Sequence, residues 1–253
     1  MRRKIHQELP SRTPFLRSIR TIEERAEHGS YPFSIPAFSQ GVNIDFESSV
    51  TFIVGENGTG KSTLLEAIAQ NCGFNREGGS RDHVFRTQEE NSDLAKALRL
   101  AWFPKVTEGF FLRAESFFNF ATYIDQLAGG NQKAYRFYGG RSLHEQSHGE
   151  AFLSLFLNRF KNGIYILDEP EAALSPQRQL SFLRVMHDLE ESGRAQFIIA
   201  THSPMILAYP GASLLSLDGP QISRVQYQDT PQFQLMRDFL RAPDRFFRHL
   251  FGD

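Results

Sequence analysis

The chain has 253 residues, of which 40% are hydrophobic, and a formal net charge of −1 at neutral pH. This length and apolar content can bury one large α/β core, and the near-neutral charge argues against a uniformly basic, nucleic-acid-coating surface. The single cysteine, Cys72, excludes an internal disulfide framework and favours a reducing, cytoplasmic compartment. We expect Cys72 to be a small buried residue. No apolar run approaches the ~20 residues that a membrane-spanning helix requires, so we expect no integral membrane segment.

The first part of the chain is unevenly charged. Glu8 is the one acidic residue among the first twenty, against the basic residues Arg2, Arg3, Lys4, Arg12, Arg17 and Arg20. This pattern predicts a basic N-terminal arm over about residues 1–14, although a frayed terminus followed by a solvated strand face explains it equally well. Phe15–Arg20 and Gly41–Phe46 are typical of edge strands. Between them, Tyr31 and Phe33 are either stacking partners for a base or packing anchors.

A glycine-rich loop follows the apolar run Val50–Val54, which we predict to be a strand, and precedes Leu64–Ala69, which we predict to be helical. It has the G-x-x-x-x-G-K-[ST] pattern of a phosphate-binding loop, which arises by chance in on the order of one such chain in a hundred. In such a loop, backbone N–H groups and the helix N-terminus face the phosphates, Lys61 reaches the β/γ oxygens and Ser62 ligates Mg²⁺. The residues predicted to bind nucleotide here are Gly55, Asn57, Gly58, Thr59, Gly60, Lys61, Ser62 and Thr63.

Two helices are predicted between this loop and the middle of the chain. The first covers Asn91–Trp102 and begins at Ser92 or Asp93, and the second covers Phe117–Leu127. Further along, Gln146–Glu150 precedes an apolar helix. Ser147, Gly149 and the N-terminus of that helix form a possible second anion site, but Ser147 with Glu150 three residues later is equally a capping box.

Acidic residues and a histidine follow the next two predicted strands. Ile164–Leu167 leads into Asp168 and Glu169, and His202 follows a second apolar strand 34 residues after Asp168. We expect Asp168 and Ser62 to hold the metal, Glu169 to act as general base, and His202 and Lys61 to contact the transferred phosphoryl group.

The last part of the chain predicts a hairpin and a helical segment. Ala212–Leu217 and Gln221–Gln228 form the hairpin, and the segment over about residues 231–253 is helical. The segment carries a stripe of phenylalanines. We expect this stripe to close the core, with a partner-docking surface as the alternative. Its members are Phe233, Phe239, Phe246, Phe247 and Phe251.

Over roughly residues 15–210, the order of these motifs resembles the soluble branch of the ABC-type ATPases, which includes SMC, RecF and OLD-type proteins and small AAA-domain ATPases without a coiled-coil arm. The resemblance implies an α/β P-loop NTPase fold with a mainly parallel central sheet flanked by helices and an antiparallel edge. One such domain would span residues 1–253, with ATP and Mg²⁺ as cofactors and ATP hydrolysis as the activity.

The resemblance also implies a head-to-tail homodimer formed on ATP binding. Ser147 lies 21 residues before Asp168, close to the spacing of the ABC signature motif, so Ser147 and Gly149 would grip the γ-phosphate bound by the other subunit. Glu171–Pro176 occupies the place of the dimer-communication loop. The motif departs from the family pattern because it reads Ser-His-Gly-Glu, which leaves His148 without a role.

Three roles are compatible with these motifs. Relatives without arms or membrane partners resemble ATPases of DNA maintenance or phage defence, which act with DNA or a separate effector such as a nuclease. A transporter's ATP-binding subunit is the alternative, but it should carry a glutamine where Glu115 stands, in the loop after Gly109–Leu112. A nucleotide-sensing switch with negligible turnover would need Glu169 or His202 to be misplaced.

Overall fold

The computed structural model describes residues 13–75, 78–81, 92–129, 131, 135–136 and 138–252, apart from the side chain of His148. Almost all of the predicted basic arm, residues 1–12, therefore lies outside the described residues. The described chain forms two sheets and a set of helices that cover them.

The larger sheet has six strands, which are in chain order β3 (Val50–Val54), β5 (Gly109–Arg113), β6 (Gly163–Asp168), β7 (Ala195–Ala200), β8 (Ser213–Ser216) and β9 (Ser223–Val225). Their spatial order is β5-β6-β7-β3-β8-β9. The first five strands of that order run parallel, and β9 pairs antiparallel with β8 at one edge. This arrangement confirms the predicted fold class, including its antiparallel edge and the predicted terminal hairpin.

The smaller sheet is antiparallel and has the order β2-β1-β4, with β1 (Leu16–Thr21), β2 (Asn43–Asp45) and β4 (Leu98–Trp102). The side-chain amide of Gln196 on β7 ties it to the larger sheet. Its Oε1 accepts hydrogen bonds from the backbone N–H groups of Phe15 and Leu16 at 2.8 and 2.9 Å. Gln196 is fully buried, so these bonds satisfy a polar group that would otherwise be costly to bury.

Helices cover both faces of the larger sheet. In chain order they are α1 (Lys61–Cys72), α2 (Asp93–Ala97), α3 (Phe117–Ala128), α4 (His148–Arg159), α5 (Pro176–Glu191), α6 (Pro204–Leu207), α7 (Pro231–Arg241) and α8 (Pro243–Phe251). No helix in the described ranges is long and apolar enough to cross a membrane.

The central strands feed two hydrophobic cores, because successive side chains of a strand point to opposite faces. On β6, Tyr165 and Leu167 pack into the core that contains α3, α4 and α5. Ile164 and Ile166 pack into the other, which contains α1, α2 and the smaller sheet. Helix α1, which follows the phosphate loop, and helix α4, which begins after Ser147, therefore lie on opposite faces of the sheet.

The prediction of one helix over Asn91–Trp102 is wrong in its second half. Ser92 does cap a helix, accepting a hydrogen bond from the backbone N–H of Ala95 at 3.2 Å, but the helix ends at Ala97. Leu98–Trp102 instead pairs with β1, because each of its residues gains a place in the antiparallel sheet.

The C-terminal phenylalanine stripe does not close the core, so that prediction is also wrong. The segment is helical as predicted, but neither α7 nor α8 has a buried residue. The rings of Phe239, Phe246 and Phe247 pack on one another instead: the ring centroid of Phe239 lies 5.5 Å from that of Phe246 and 5.8 Å from that of Phe247. Leu240 and Phe251 remain 69% and 78% exposed.

Candidate functional site

The residues predicted to bind phosphate and metal and to catalyse hydrolysis converge at the carboxyl ends of neighbouring strands, whereas Ser147 and Gly149 lie apart from them at the start of α4. The phosphate loop follows β3, Asp168 ends β6, and His202 follows β7, which lies between β6 and β3. In open α/β sheets, ligands bind in the crevice at this edge.

The phosphate loop is held in shape by its own lysine. Lys61 Nζ donates hydrogen bonds to the carbonyl oxygens of Gly55 and Glu56 at 2.8 and 2.9 Å, and the residue is 5% exposed. Burial lowers the pKa of Lys61, while the nearby carboxylates of Glu169 and Asp168 act in the opposite direction. The ammonium is thus fixed inside the loop beside the start of α1, where it can meet phosphate oxygens.

Gly60 shows why this loop requires glycine. Its φ is +97°, and a Cβ there would lie 2.8 Å from the ring of Phe38, which is fully buried. Any side chain would therefore strain the backbone and collide with the core at the residue before α1. The packing of Phe38 against the loop therefore requires glycine at position 60.

The environment of Asp168 fits a magnesium ion. Asp168 is 5% exposed, and its Oδ1 atom is buried without a hydrogen-bond partner among the described residues. Mg²⁺ is usually held by one or two carboxylates together with phosphate oxygens and water, so one buried carboxylate oxygen beside a phosphate loop suits it. Asp168 and the hydroxyl of Ser62 are the residues that would hold the ion.

Glu169 and His202 face each other at the mouth of the site. His202 Nε2 lies 3.7 Å from Glu169 Oε1, too far for a hydrogen bond, and that nitrogen has no hydrogen-bond partner among the described residues. Glu169 is half-exposed and has a φ of +51°, the one positive value at a non-glycine residue of the described chain. Strain of this kind concentrates at functional sites, and here it occurs at the residue whose carboxylate faces His202.

Ser147 and Gly149 lie at the start of α4 and contact α5. Ser147 and Glu150 form the predicted capping box, in which the Ser147 backbone N–H donates to Glu150 Oε2 at 3.1 Å. Arg178 on α5 donates from Nη1 to Ser147 Oγ at 3.0 Å, and its Nη2 lies 3.4 Å from Glu150 Oε1. A Cβ on Gly149 would lie 2.5 Å from Arg178 Nη1, so the glycine lets the guanidinium lie against the helix start.

The family of the chain follows from a sequence match. Residues 30–183, more than half of the chain, match the AAA domain family AAA_23. The chain belongs to this family. The matched range contains the phosphate loop, Ser147, Asp168 and Glu169, whereas His202 lies beyond it.

The structure of the chain is also similar to solved structures whose sequence identity to it is low. The SMC head domain from Thermotoga maritima has a TM-score of 0.45 at 16% identity, covering 83% of this chain and 98% of that chain. CbiO1 from Clostridium perfringens, part of the ABC transporter complex cbiONQ, has a TM-score of 0.48 at 17% identity, covering 94% of this chain and 100% of that chain. A search of curated proteins finds no match.

The family match confirms the resemblance seen in the sequence. The AAA domain is an ATP-binding P-loop domain, and its family implies the use of ATP with Mg²⁺. The catalytic and dimer-contacting roles of individual residues stay predictions, taken up below.

Sequence reasoning missed a cation beside Asp168 in the AAA domain. Arg113 ends β5, where it stands opposite Asp168 in the parallel register. Its Nη1 lies 2.6 Å from Glu66 Oε1 on α1, and its Nε lies 3.4 Å from Asp168 Oδ2. Glu115, the residue at the expected glutamine position, pairs with Arg113 at 3.5 Å and is 85% exposed. The residue of this strand end that faces Asp168 is therefore Arg113, and not Glu115 at the expected glutamine position.

Tyr31 and Phe33, the two aromatic residues considered in the segment before β2, differ in their burial. Phe33 is 2% exposed and packs in the core, whereas Tyr31 is 66% exposed. The Tyr31 hydroxyl lies 3.0 Å from Thr63 Oγ1 in the first turn of α1. Phe33 is therefore a packing anchor, whereas Tyr31 is exposed beside the start of α1.

The charge of Asp168 should destabilise the metal-free AAA domain. The pKa of Asp168 is raised to about 6 from the ordinary 3.8, chiefly by burial, and the hydrogen bond from Ser62 and the charge of Arg113 only partly offset this. The folded state therefore binds this proton more tightly than the unfolded chain does. The contribution of Asp168 to stability must fall as the pH rises from about 4 through about 6.

We expect Asp168→Asn to be more stable than wild type in EDTA at pH 7.5, by on the order of 3 kcal/mol if the whole pKa difference is recovered. The advantage should shrink toward zero near pH 4, because both proteins then carry a neutral group. Urea unfolding at several pH values measures it, with the exposed Asp188→Asn as control. An Asp168→Asn protein that is less stable at pH 7.5, or equally affected at all pH values, would contradict this account.

Proposed function

We propose that this AAA domain is a Mg²⁺-dependent ATPase that works as an ATP-dependent head-to-tail homodimer. The observation that carries the proposal is the convergence of Lys61, Asp168, Glu169 and His202 at three neighbouring strand ends. A phosphate loop alone would bind nucleotide. The addition of a half-exposed carboxylate and a histidine on the same crevice supplies groups that can act on an attacking water.

Each residue has a distinct part in the proposed reaction. Lys61 and the loop N–H groups bind the β- and γ-phosphates, and Ser62 and Asp168 would hold a magnesium ion, which would supply positive charge beside the phosphates. Glu169 accepts the proton of the attacking water. His202 holds Glu169 and the water in line with the γ-phosphate, since its Nε2, which has no hydrogen-bond partner in the described part of the chain, already faces the Glu169 carboxylate.

The second half of the site would come from another copy of the chain. The start of α4 presents the hydroxyl of Ser147 and the backbone of Gly149, and Arg178 adds a fixed positive charge against both. These groups suit the γ-phosphate held by a second subunit. The capping box with Glu150 is compatible with this role, because Ser147 can order the helix in the monomer and still contact phosphate in the dimer.

The proposed biological role is in DNA maintenance or phage defence, with DNA or a nuclease-type effector as partner. The exposed Glu115 supports this over the transporter alternative, for which the sequence resemblance implies a glutamine directed at the metal. The ATP-trapped Glu169→Gln dimer is the form from which to isolate the partner. Recovery of DNA or a nuclease would support the proposed role, and recovery of a membrane permease would support the alternative.

The shared site predicts a change of oligomeric state. Glu169→Gln with ATP and Mg²⁺ should form a tight dimer, because the nucleotide joining the two subunits is no longer hydrolysed. The mass measured by light scattering should double from the monomer's 28.9 kDa. Adding Ser147→Arg should abolish the dimer, because a bulky cation beside Arg178 fills the second anion site without making the same contacts.

The Ser147→Arg variant should still bind ATP as a monomer, because the phosphate loop is unchanged. Ser181→Arg, which places the same side chain at an exposed position of α5, serves as the matched control and should dimerise. If the Ser147→Arg protein dimerises on ATP like its control, Ser147 acts as a helix cap alone.

A further inference from the structure

Glu171 lies two residues after the proposed general base and contacts the segment that carries His202. Its Oε1 accepts a hydrogen bond from the His202 backbone N–H at 2.5 Å, and its Oε2 accepts one from the Thr201 hydroxyl at 2.7 Å. Hydrogen bonds to an ionised carboxylate are shorter and about twice as strong as neutral ones. One side chain thus fixes both the backbone of the histidine and the residue before it.

The chain geometry after β6 brings Glu171 to this place. Glu169 donates its backbone N–H to the Ala200 carbonyl at the end of β7 at 2.9 Å, which ties the two strand ends together. A single 3₁₀ turn, Pro170–Ala173, then begins directly after the left-handed Glu169. This sharp change of direction carries Glu171 across the end of β7, next to Thr201 and His202.

The same hydrogen-bond network continues to the predicted dimer-communication loop. The Thr201 hydroxyl accepts a hydrogen bond from the Ser203 N–H at 3.1 Å, and the Ser203 hydroxyl donates to Gln179 Oε1 at 2.6 Å. Gln179 Nε2 in turn donates to the Leu174 carbonyl at 3.2 Å. Thr201 is fully buried, and Ser203 and Gln179 are each 8% exposed. Buried, fully connected polar networks of this kind favour one arrangement over all others.

We propose that Glu171 is a positioning residue that sets His202 against Glu169 and makes that position depend on the loop at Leu174. This inference rests on the proposed function, in which His202 assists hydrolysis and the loop at Leu174 meets the second subunit. Displacement of Leu174 on dimerisation would pass through Gln179 and Ser203 to Thr201 and Glu171. Hydrolysis would therefore be coupled to assembly through hydrogen bonds within one subunit.

Removal of the carboxylate should reduce turnover without weakening nucleotide binding. We expect Glu171→Ala to lower kcat for ATP by about tenfold or more, with KM changed by less than about twofold, because a misplaced His202 affects the reacting geometry and not the phosphate loop. Glu171→Gln keeps one acceptor oxygen for the His202 N–H and should recover part of kcat. Glu191→Ala, at an exposed position at the end of α5, should behave like wild type.

A double-mutant cycle separates positioning from a general structural effect. In a His202→Ala background, Glu171→Ala should change kcat by less than about twofold, because the group that it positions is already absent. Thr201→Val, which removes the hydroxyl from the network and leaves the Glu171–His202 bond, provides a second variant if Glu171→Ala fails to fold. It should lower kcat less than Glu171→Ala does, again without a change in KM.

The possible results distinguish this inference from the proposed function. A His202→Ala protein with wild-type kcat would overturn the role of His202 and the inference with it. A reduced kcat in His202→Ala beside an unchanged kcat in Glu171→Ala would overturn the inference alone. So would a full additional loss from Glu171→Ala in the His202→Ala background, since Glu171 would then act through another group.

Discussion

The Glu169→Gln protein is expected to bind ATP as tightly as wild type and to hydrolyse it at least ~10²-fold more slowly. The amide keeps the shape of the side chain but cannot accept the proton of the attacking water. Glu169 is well placed for that task, because its carboxylate is half-exposed at the crevice and faces His202 Nε2 at 3.7 Å. The phosphate loop does not depend on it, so affinity should be retained.

Two measurements separate binding from chemistry in this variant. Calorimetric titration with ATP and Mg²⁺ gives the affinity, and phosphate release under saturating ATP gives kcat. Glu191→Gln, at an exposed position at the end of α5, controls for the loss of one negative charge. If Glu169→Gln releases phosphate at the wild-type rate, another group is the general base. If it loses ATP affinity instead, Glu169 contributes to nucleotide binding.

Lys61→Ala should abolish nucleotide binding and hydrolysis together. The substitution removes the fixed cation at the β/γ-phosphates and also the two hydrogen bonds that hold the carbonyls of Gly55 and Glu56. Loss of a charge-assisted contact to phosphate, together with a loosened loop, should reduce ATP affinity by ~10²-fold or more. Titration at a protein concentration that saturates wild type should then show no binding heat.

A matched control distinguishes the loss of this ammonium from a general loss of charge. Lys161→Ala, at an exposed position before β6, should bind ATP normally. Circular dichroism should show that Lys61→Ala remains folded, because α1 is also held by the core around Leu64 and Ile68. Wild-type affinity in Lys61→Ala would mean that the loop after β3 does not bind the nucleotide.

The residues whose positions at the strand ends the sequence located best were those in short, recognisable strings. The phosphate loop and the Asp168–Glu169 pair each carry their meaning within a few positions, so strand and helix flanks were enough to place them. Arg113 and Glu171 were missed because their roles depend on neighbours across the sheet. Arg113 meets Asp168 through strand register, and Glu171 meets His202 across 31 positions of the chain.

The wrong predictions about elements have a physical cause in tertiary packing. Leu98–Trp102 has a helix-compatible composition, but alternate residues also suit a strand, and pairing with β1 decided between them. The C-terminal phenylalanines had the spacing of a core-facing stripe, yet α7 and α8 pack their rings against each other. A hydrophobic pattern indicates that a helix face needs a partner, but it does not say which surface provides it.

The burial of Cys72 gives the AAA domain a built-in reporter of helix opening. It is the last residue of α1, 3% exposed, and burial raises the pKa of its thiol to about 12, so almost no thiolate exists in the folded state. Alkylation at neutral pH must wait until the end of α1 unfolds locally and exposes the sulfur. Because the chain has one cysteine, a thiol reagent labels the unmodified protein at this site alone. The labelling rate therefore reports how often, or for what fraction of the time, this helix end is open. The opposite end of α1 begins at Lys61, so a nucleotide bound there would slow a reaction at a sulfur three helical turns away.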